Sequence, residues 1–104
     1  LILCDVLRWP ATEAANLMRE KAARKFDRHE PCGEEANLAK LLASEASWQA
    51  ADMCIQTFGG FGFAEAYDVE RKFRETRLYQ VAPISTNLIL SHVAEHTLGL
   101  PRSF

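Results

Sequence analysis

The sequence predicts an all-α fold, an antiparallel helical bundle of the four-helix, up-and-down type. Three observations carry this. Apolar residues recur at spacings of 3 and 4 through two long stretches. No segment alternates apolar and polar residues as a half-buried strand would. Punctuation separates the stretches: HEPCG at His29 to Gly33, and Gly99 followed by Pro101.

The first helical stretch is expected from about Leu1 to Asp27. Leu3, Leu7, Ala14, Leu17, Met18, Ala22 and Phe26 form its apolar series. Pro10 interrupts it, because an internal proline removes a hydrogen bond and clashes with the preceding turn. The chain therefore either kinks there or starts a separate helix with Pro10 in its first turn.

A second helix is expected from Glu34 to about Phe58. Glu34 and Glu35 place negative charge where the helix dipole favours it. Ala36, Ala39, Ala43, Ala46 and Ala50 make a small-residue stripe that admits a close neighbour helix. Leu38, Leu41, Leu42, Trp48, Met53 and Ile55 add bulk around it, so this helix is expected to be the most buried. A third helix fits Asp68 to about Gln80, with Val69, Phe73 and Tyr79 inward. Its outer side is spaced for Glu70–Arg74 and Arg71–Glu75 pairs. A fourth fits Pro83 to Leu98, with Pro83 in the first turn.

Composition bounds the class. A chain of 104 residues is one domain or part of one. Its 48% apolar and 25% charged residues are those of a globular domain. The net charge of -2, with basic and acidic residues interleaved in REKAARKFDRHE, argues against a nucleic-acid-binding face. Cys4, Cys32 and Cys54 form no CxxC pair and read as free thiols in a reducing compartment. No run is apolar enough to span a membrane, and no signal-peptide pattern opens the chain. The first residues, LILCDVL, lack a Met and read as a fragment boundary.

The stretch IQTFGGFGF, Ile55 to Phe63, sets three glycines among three phenylalanines. Physics alone leaves two readings open. The glycines form a tight turn after a helix, with Phe58, Phe61 and Phe63 pinning it to the core. Or the bare backbone lets a phosphate-bearing group approach. Gln56, Gly59, Gly60, Gly62 and Phe63, followed by Tyr67 and then VERKFRETR, closely resemble the C-terminal signature of the acyl-CoA dehydrogenase family. The preceding ANLAKLLASEASWQAADMCIQ resembles the family's helix before that loop.

The resemblance implies a flavoenzyme. A base removes the α-proton of an acyl-CoA thioester, and FAD accepts the β-hydride. Residues 1–104 would be the C-terminal part of the family's helical bundle domain, inactive by themselves. The implied partners are acyl-CoA, FAD, further copies of the chain in a dimer or tetramer, and, as one candidate, an electron-transfer flavoprotein. The implied compartment is cytoplasmic, or the mitochondrial matrix in a eukaryote. By the same resemblance, Gln56, Gly59 and Gly60 would lie against the FAD of a neighbouring subunit, where a side chain on either glycine would hold the backbone away.

The pattern breaks after the third helix. Most of the family has a YEGT-type segment there, and its Glu is the catalytic base. Here Ala82, Pro83 and Ile84 stand in the places of Tyr, Glu and Gly. Pro83 has no ionisable group and cannot abstract a proton. Either the base sits on an earlier helix, as in some branches, or the protein does other chemistry. Ser85 at the usual Thr position and Asn87 nearby are further candidates for flavin contacts, or plain first-turn residues. Ala66 replaces a usual acidic residue.

Other residues have blander readings. His92 and His96 have the i,i+4 spacing of metal ligands but no third ligand at a matching spacing. Arg71, Arg74 and Arg77 read as a salt-bridged helix face rather than a CoA phosphate site. Cys54 reads as a small buried hydrophobe, and Trp9 and Trp48 as core or interface residues. Two other functional classes stay open: a helical interaction module without flavin, and a related flavin oxidase or monooxygenase.

Overall fold

A computed structural model describes residues 10–102. Among these residues there are four α-helices and no strand: α1 (Pro10–Asp27), α2 (Gly33–Phe58), α3 (Val69–Val81) and α4 (Thr86–His96). Two short 3-10 segments, Gly59–Phe63 and Glu65–Tyr67, link α2 to α3.

The described part of the first helical stretch is α1, with Pro10 in its first position. A prolyl nitrogen there forfeits no intrahelical bond. The expectations for Leu1 to Trp9, including Cys4 and Trp9, lie outside the described residues. α1 ends in a Schellman motif: His29 takes φ +57, its N–H donates to Phe26 and the N–H of Glu30 donates to Lys25.

α2 is the hub. α1, α3 and α4 all pack on it, and it holds more buried residues than any other helix: Glu35, Leu41, Ser44, Ala46 and Ala51. The hairpin with α1 is antiparallel. Lys21 and Lys25, late in α1, reach Glu35, early in α2, whereas Thr12 and Ala15 share a cleft with Ala46 and Ala50. α3 is antiparallel to α2 as well. The last turn of α2 meets the glycine segment that leads into α3, whereas Lys40 and Ser44 share a cleft with Tyr79 and Ala82 at the end of α3.

The α2–α3 seam is aromatic. The rings of Trp48 and Phe73 lie 4.6 Å apart between centroids, and the Arg77 guanidinium sits 4.9 Å from the centre of the Trp48 ring. Val69 is buried at the start of α3, and Ile89 of α4 is the largest fully buried side chain.

Several inward assignments do not hold. Leu17 and Phe26 are 68% and 72% exposed, because Ala15, Met18, Ala22 and Lys25 form the stripe of α1 facing α2. Residues one position off such a stripe point about 100° away. Tyr79 is exposed for the same reason: Val69, Phe73, Thr76 and Gln80 continue the inward stripe of α3. α4 starts at Thr86 rather than Pro83. Ser85 is its N-cap, its hydroxyl accepting from the Leu88 N–H at 3.3 Å, and Pro83 lies before the helix after a cis Ala82–Pro83 peptide. The expected stop after α4 holds: Gly99 takes φ +64.

Candidate functional site

The glycine segment begins where α2 ends. Gly59 takes φ +55 and ψ -135, a conformation that essentially only glycine adopts, and its N–H donates to the Ile55 carbonyl. The chain then tightens into the 3-10 segment Gly59–Phe63.

The glycines of the loop separate by cause. At Gly59 the backbone itself demands glycine. At Gly62 packing demands it, because a Cβ there would lie 3.2 Å from the Ile55 carbonyl oxygen and 3.4 Å from the Phe58 Cβ. Gly60 has neither reason. Its φ is not positive, and a Cβ there would meet nothing within 4 Å.

The phenylalanines do not pin the loop as expected. Phe61 and Phe63 are 67% and 72% exposed. Phe58 and Phe61 meet Tyr67 edge-on instead, with centroids 5.9 and 5.6 Å apart. The loop is thus held by its backbone and by Gly62, and its aromatic edges remain open.

Beyond the loop, Asp68 takes φ +61 and precedes α3. Its carboxylate receives a two-pronged grip from Arg71, with Nε–Oδ1 at 2.7 Å and Nη2–Oδ2 at 2.6 Å. The same guanidinium reaches Glu75 at 2.7 Å. Arg71 therefore holds the Asp68 carboxyl below its ordinary pKa. Lys72 first, then Arg71, do the same for Glu75. Arg74 pairs with Glu70 at 2.7 Å. Arg71 is thus occupied by the N-cap Asp68 and by Glu75, Arg74 is occupied by Glu70, and Arg77 lies over Trp48.

Gln56, Gly59 and Gly60 are all exposed at one end of α2. Ser85 and Asn87 are at the start of α4, past the far end of α3. Lys40 marks that place on α2, since its Nζ lies 2.6 Å from the Ile84 carbonyl oxygen. The sixteen residues from Lys40 to Gln56 advance roughly 24 Å along the helix. The candidate residues thus form two clusters, one at the C-terminal end of α2 and one beside its N-terminal third, and a single ligand touching both must be extended. Ser85 accepts from Leu88, so its hydroxyl proton remains for another acceptor. Asn87 is exposed.

A cleft of about 390 Å³ adjoins the second cluster, lined by Lys40, Ala43, Ser44, Ser47, Tyr79 and Pro83 among others. Pro83 brings no ionisable group to it. Two residues of consequence were not singled out in the sequence. Lys40 is one. The other is Glu35, read only as a first-turn charge, which is 3% exposed and receives the Nζ groups of Lys25 and Lys21 at 2.5 and 3.1 Å. Two basic residues one turn apart on α1 were the available signal for it.

Among the described residues no cluster of three or more His, Cys, Asp or Glu side chains is arranged to hold a metal. His92 and His96 meet as a ring pair, with centroids 4.4 Å apart. Cys32 and Cys54 are free and half-buried. No described helix is long and apolar enough to cross a membrane.

Comparison with known proteins matches residues 9–98 to the family model described as acyl-CoA dehydrogenase, C-terminal domain. The chain is 44% identical over 94 residues to an acyl-CoA dehydrogenase of Mycobacterium tuberculosis, covering 88% of this chain and 24% of that protein. It is 34% identical over 84 residues to the mitochondrial short/branched chain specific acyl-CoA dehydrogenase of Rattus norvegicus, covering 81% and 19%. It is 39% identical over 69 residues to cyclohexane-1-carbonyl-CoA dehydrogenase of Geobacter metallireducens, covering 66% and 18%. The chain thus spans about a fifth to a quarter of the length of these relatives.

Proposed function

We propose a function from one premise: this chain belongs to the acyl-CoA dehydrogenase family, within its C-terminal domain. On our reading, residues 1–104 are the later part of the helical bundle of an FAD-dependent oxidoreductase. The complete protein oxidises the α,β bond of an acyl-CoA thioester in a reducing compartment, cytoplasmic or mitochondrial. Its members assemble as dimers or tetramers, and an electron-transfer flavoprotein is the candidate acceptor of its electrons.

The observation that carries the flavin part is Gly60. Two neighbouring glycines are explained by this chain's own backbone and packing, and Gly60 is not. A bare, exposed backbone beside the exposed Gln56 fits the close approach of a cofactor from outside this chain. The donor chemistry fits as well: a primary amide at Gln56 and Asn87, and a hydroxyl proton at Ser85, suit phosphate and ribityl oxygens. When bound, FAD supplies the hydride acceptor. This chain's residues orient and exclude water, and none of them moves the α-proton, because Pro83 stands where the family's base usually is. On this reading that proton is taken by a base on an earlier helix.

The test compares flavin stoichiometry of the full-length protein carrying Gly60→Val with that of wild type. Loss of flavin with unchanged helix content supports the reading. Full flavin content in Gly60→Val and in Gln56→Ala contradicts it.

A further inference from the structure

We infer that Lys40 is a positioning residue, which fixes the Ala82–Ser85 segment through the carbonyl of Ile84. The inference rests on the dehydrogenase reading for its consequence and on geometry for its contact.

The segment joins α3 to α4, and its two ends are tied by backbone bonds. The Ala82 N–H donates to Leu78, and the Ser85 carbonyl accepts from Ile89. The middle is not tied this way. Pro83 has no N–H, and among the described residues neither Pro83 nor Ile84 takes part in a backbone–backbone hydrogen bond. Lys40, forty-four positions earlier on α2, supplies the missing donor at 2.6 Å. A cationic donor on a carbonyl is stronger than a neutral one.

Lys40 also lines the cleft beside Pro83, Ala82 and Tyr79. The ammonium therefore holds the segment at the wall of that cleft, together with Ser85, whose hydroxyl caps α4. Two consequences follow from moving this anchor. The wall formed by Pro83 would shift relative to any reactant beside it. The start of α4, with Ser85 and Asn87, would shift with it. Misplacement by about 1 Å can lower a rate a hundredfold without abolishing binding.

The experiment uses the full-length protein with Lys40→Met, which keeps the stem and removes the donor, and Lys40→Arg, which keeps a cationic donor. Two readouts are taken. The first is amide hydrogen exchange over residues 82–89. Lys40→Met is expected to speed exchange there by about tenfold, with residues 59–67 unchanged, as for loss of a local anchor. The second is anaerobic flavin reduction by acyl-CoA. Lys40→Met is expected to lower the limiting rate at least about tenfold while KM moves less than about threefold. Lys40→Arg is expected to recover both readouts to within about threefold. Unchanged exchange in Lys40→Met overturns the contact. Faster exchange with an unchanged rate overturns the positioning role, as does failure of Lys40→Arg to recover the rate. A wild-type protein that acyl-CoA does not reduce defeats the dehydrogenase reading instead, and exchange alone then decides the contact.

Discussion

The Nζ of Lys25 lies 2.5 Å from the Oε1 of Glu35, joining the end of α1 to the start of α2 inside the hairpin. Lys21 reaches the same oxygen at 3.1 Å, while Oε2 is buried without a hydrogen-bond partner among the described residues. The hydrogen bond from Lys25, then that from Lys21, hold the Glu35 carboxyl at a pKa of about 2 against burial, which opposes the charged form. Lys25 is raised in return by its bond to Glu35.

The signs set the pH dependence of the hairpin. The folded pKa of Glu35 is depressed below its ordinary 4.5, so its contribution is full above about 4.5 and fades as pH falls toward about 2. The folded pKa of Lys25 is raised, so its contribution is full below 10.5 and fades as pH rises through the folded value. Thermal melts of wild type and Glu35→Gln are expected to differ most between those limits and to converge as pH falls to about 2. A constant difference down to pH 2 would contradict this account of the pair.

The glycine loop predicts three distinct outcomes. Gly62→Ala forces a Cβ to within 3.2 Å of the Ile55 carbonyl oxygen and is expected to lower stability by about 1–3 kcal/mol. Gly59→Ala must hold an L-residue at φ +55 and ψ -135 and is expected to lose about 1–3 kcal/mol. Gly60→Ala faces open space and is expected to change stability by less than about 0.5 kcal/mol. Chemical denaturation of the three variants checks the order. Equal losses at all three would mean that Gly60 too is held by the fold.

No carboxylate of this chain is expected to act as the base. In the full-length protein Pro83→Ala should keep the rate of flavin reduction within about tenfold, roughly 1.4 kcal/mol in barrier. Replacing Glu65, Glu70, Glu75 or Glu95 should leave α-proton exchange of the substrate intact. Glu70 and Glu75 are engaged with Arg74, Arg71 and Lys72, so their loss should appear as a small change in stability. Loss of exchange in one variant, with flavin bound, would identify that residue as the base.

Residues 1–104 alone are expected to be helical, to bind no FAD and to self-associate. Among the described residues Ile89 is the one large side chain that is fully buried, whereas Leu17, Phe26, Phe63, Leu78 and Leu88 are more than half exposed. Such apolar surface favours association. Sedimentation and an absorbance scan check this. A monomer over a wide concentration range, or a yellow preparation, would contradict it.

Local signals made most of this fold legible. The acidic start and the glycine cluster bracket α2, and the observed limits agree closely. The Glu70–Arg74 and Arg71–Glu75 pairs followed from helix spacing alone. What failed depended on tertiary direction. Leu17, Phe26 and Tyr79 are apolar or aromatic and near the right phase, yet each lies one position off the narrow stripe that meets α2. Pro83 suits a first turn, but Ser85 carries the hydroxyl that caps α4. Of the candidate site, the loop and its glycines were legible. The separate causes behind Gly59, Gly60 and Gly62 were not, because they depend on φ and on what a Cβ would touch. Lys40 left no local trace, since its partner is a carbonyl on a distant segment.

The most direct test of the central claim is anaerobic titration of the purified full-length protein with acyl-CoA thioesters, followed by flavin absorbance. The account predicts a yellow protein with about one FAD per chain, bleached by an acyl-CoA that has α- and β-hydrogens and not by one lacking them. A colourless protein, or bound flavin that no acyl-CoA reduces, would contradict it.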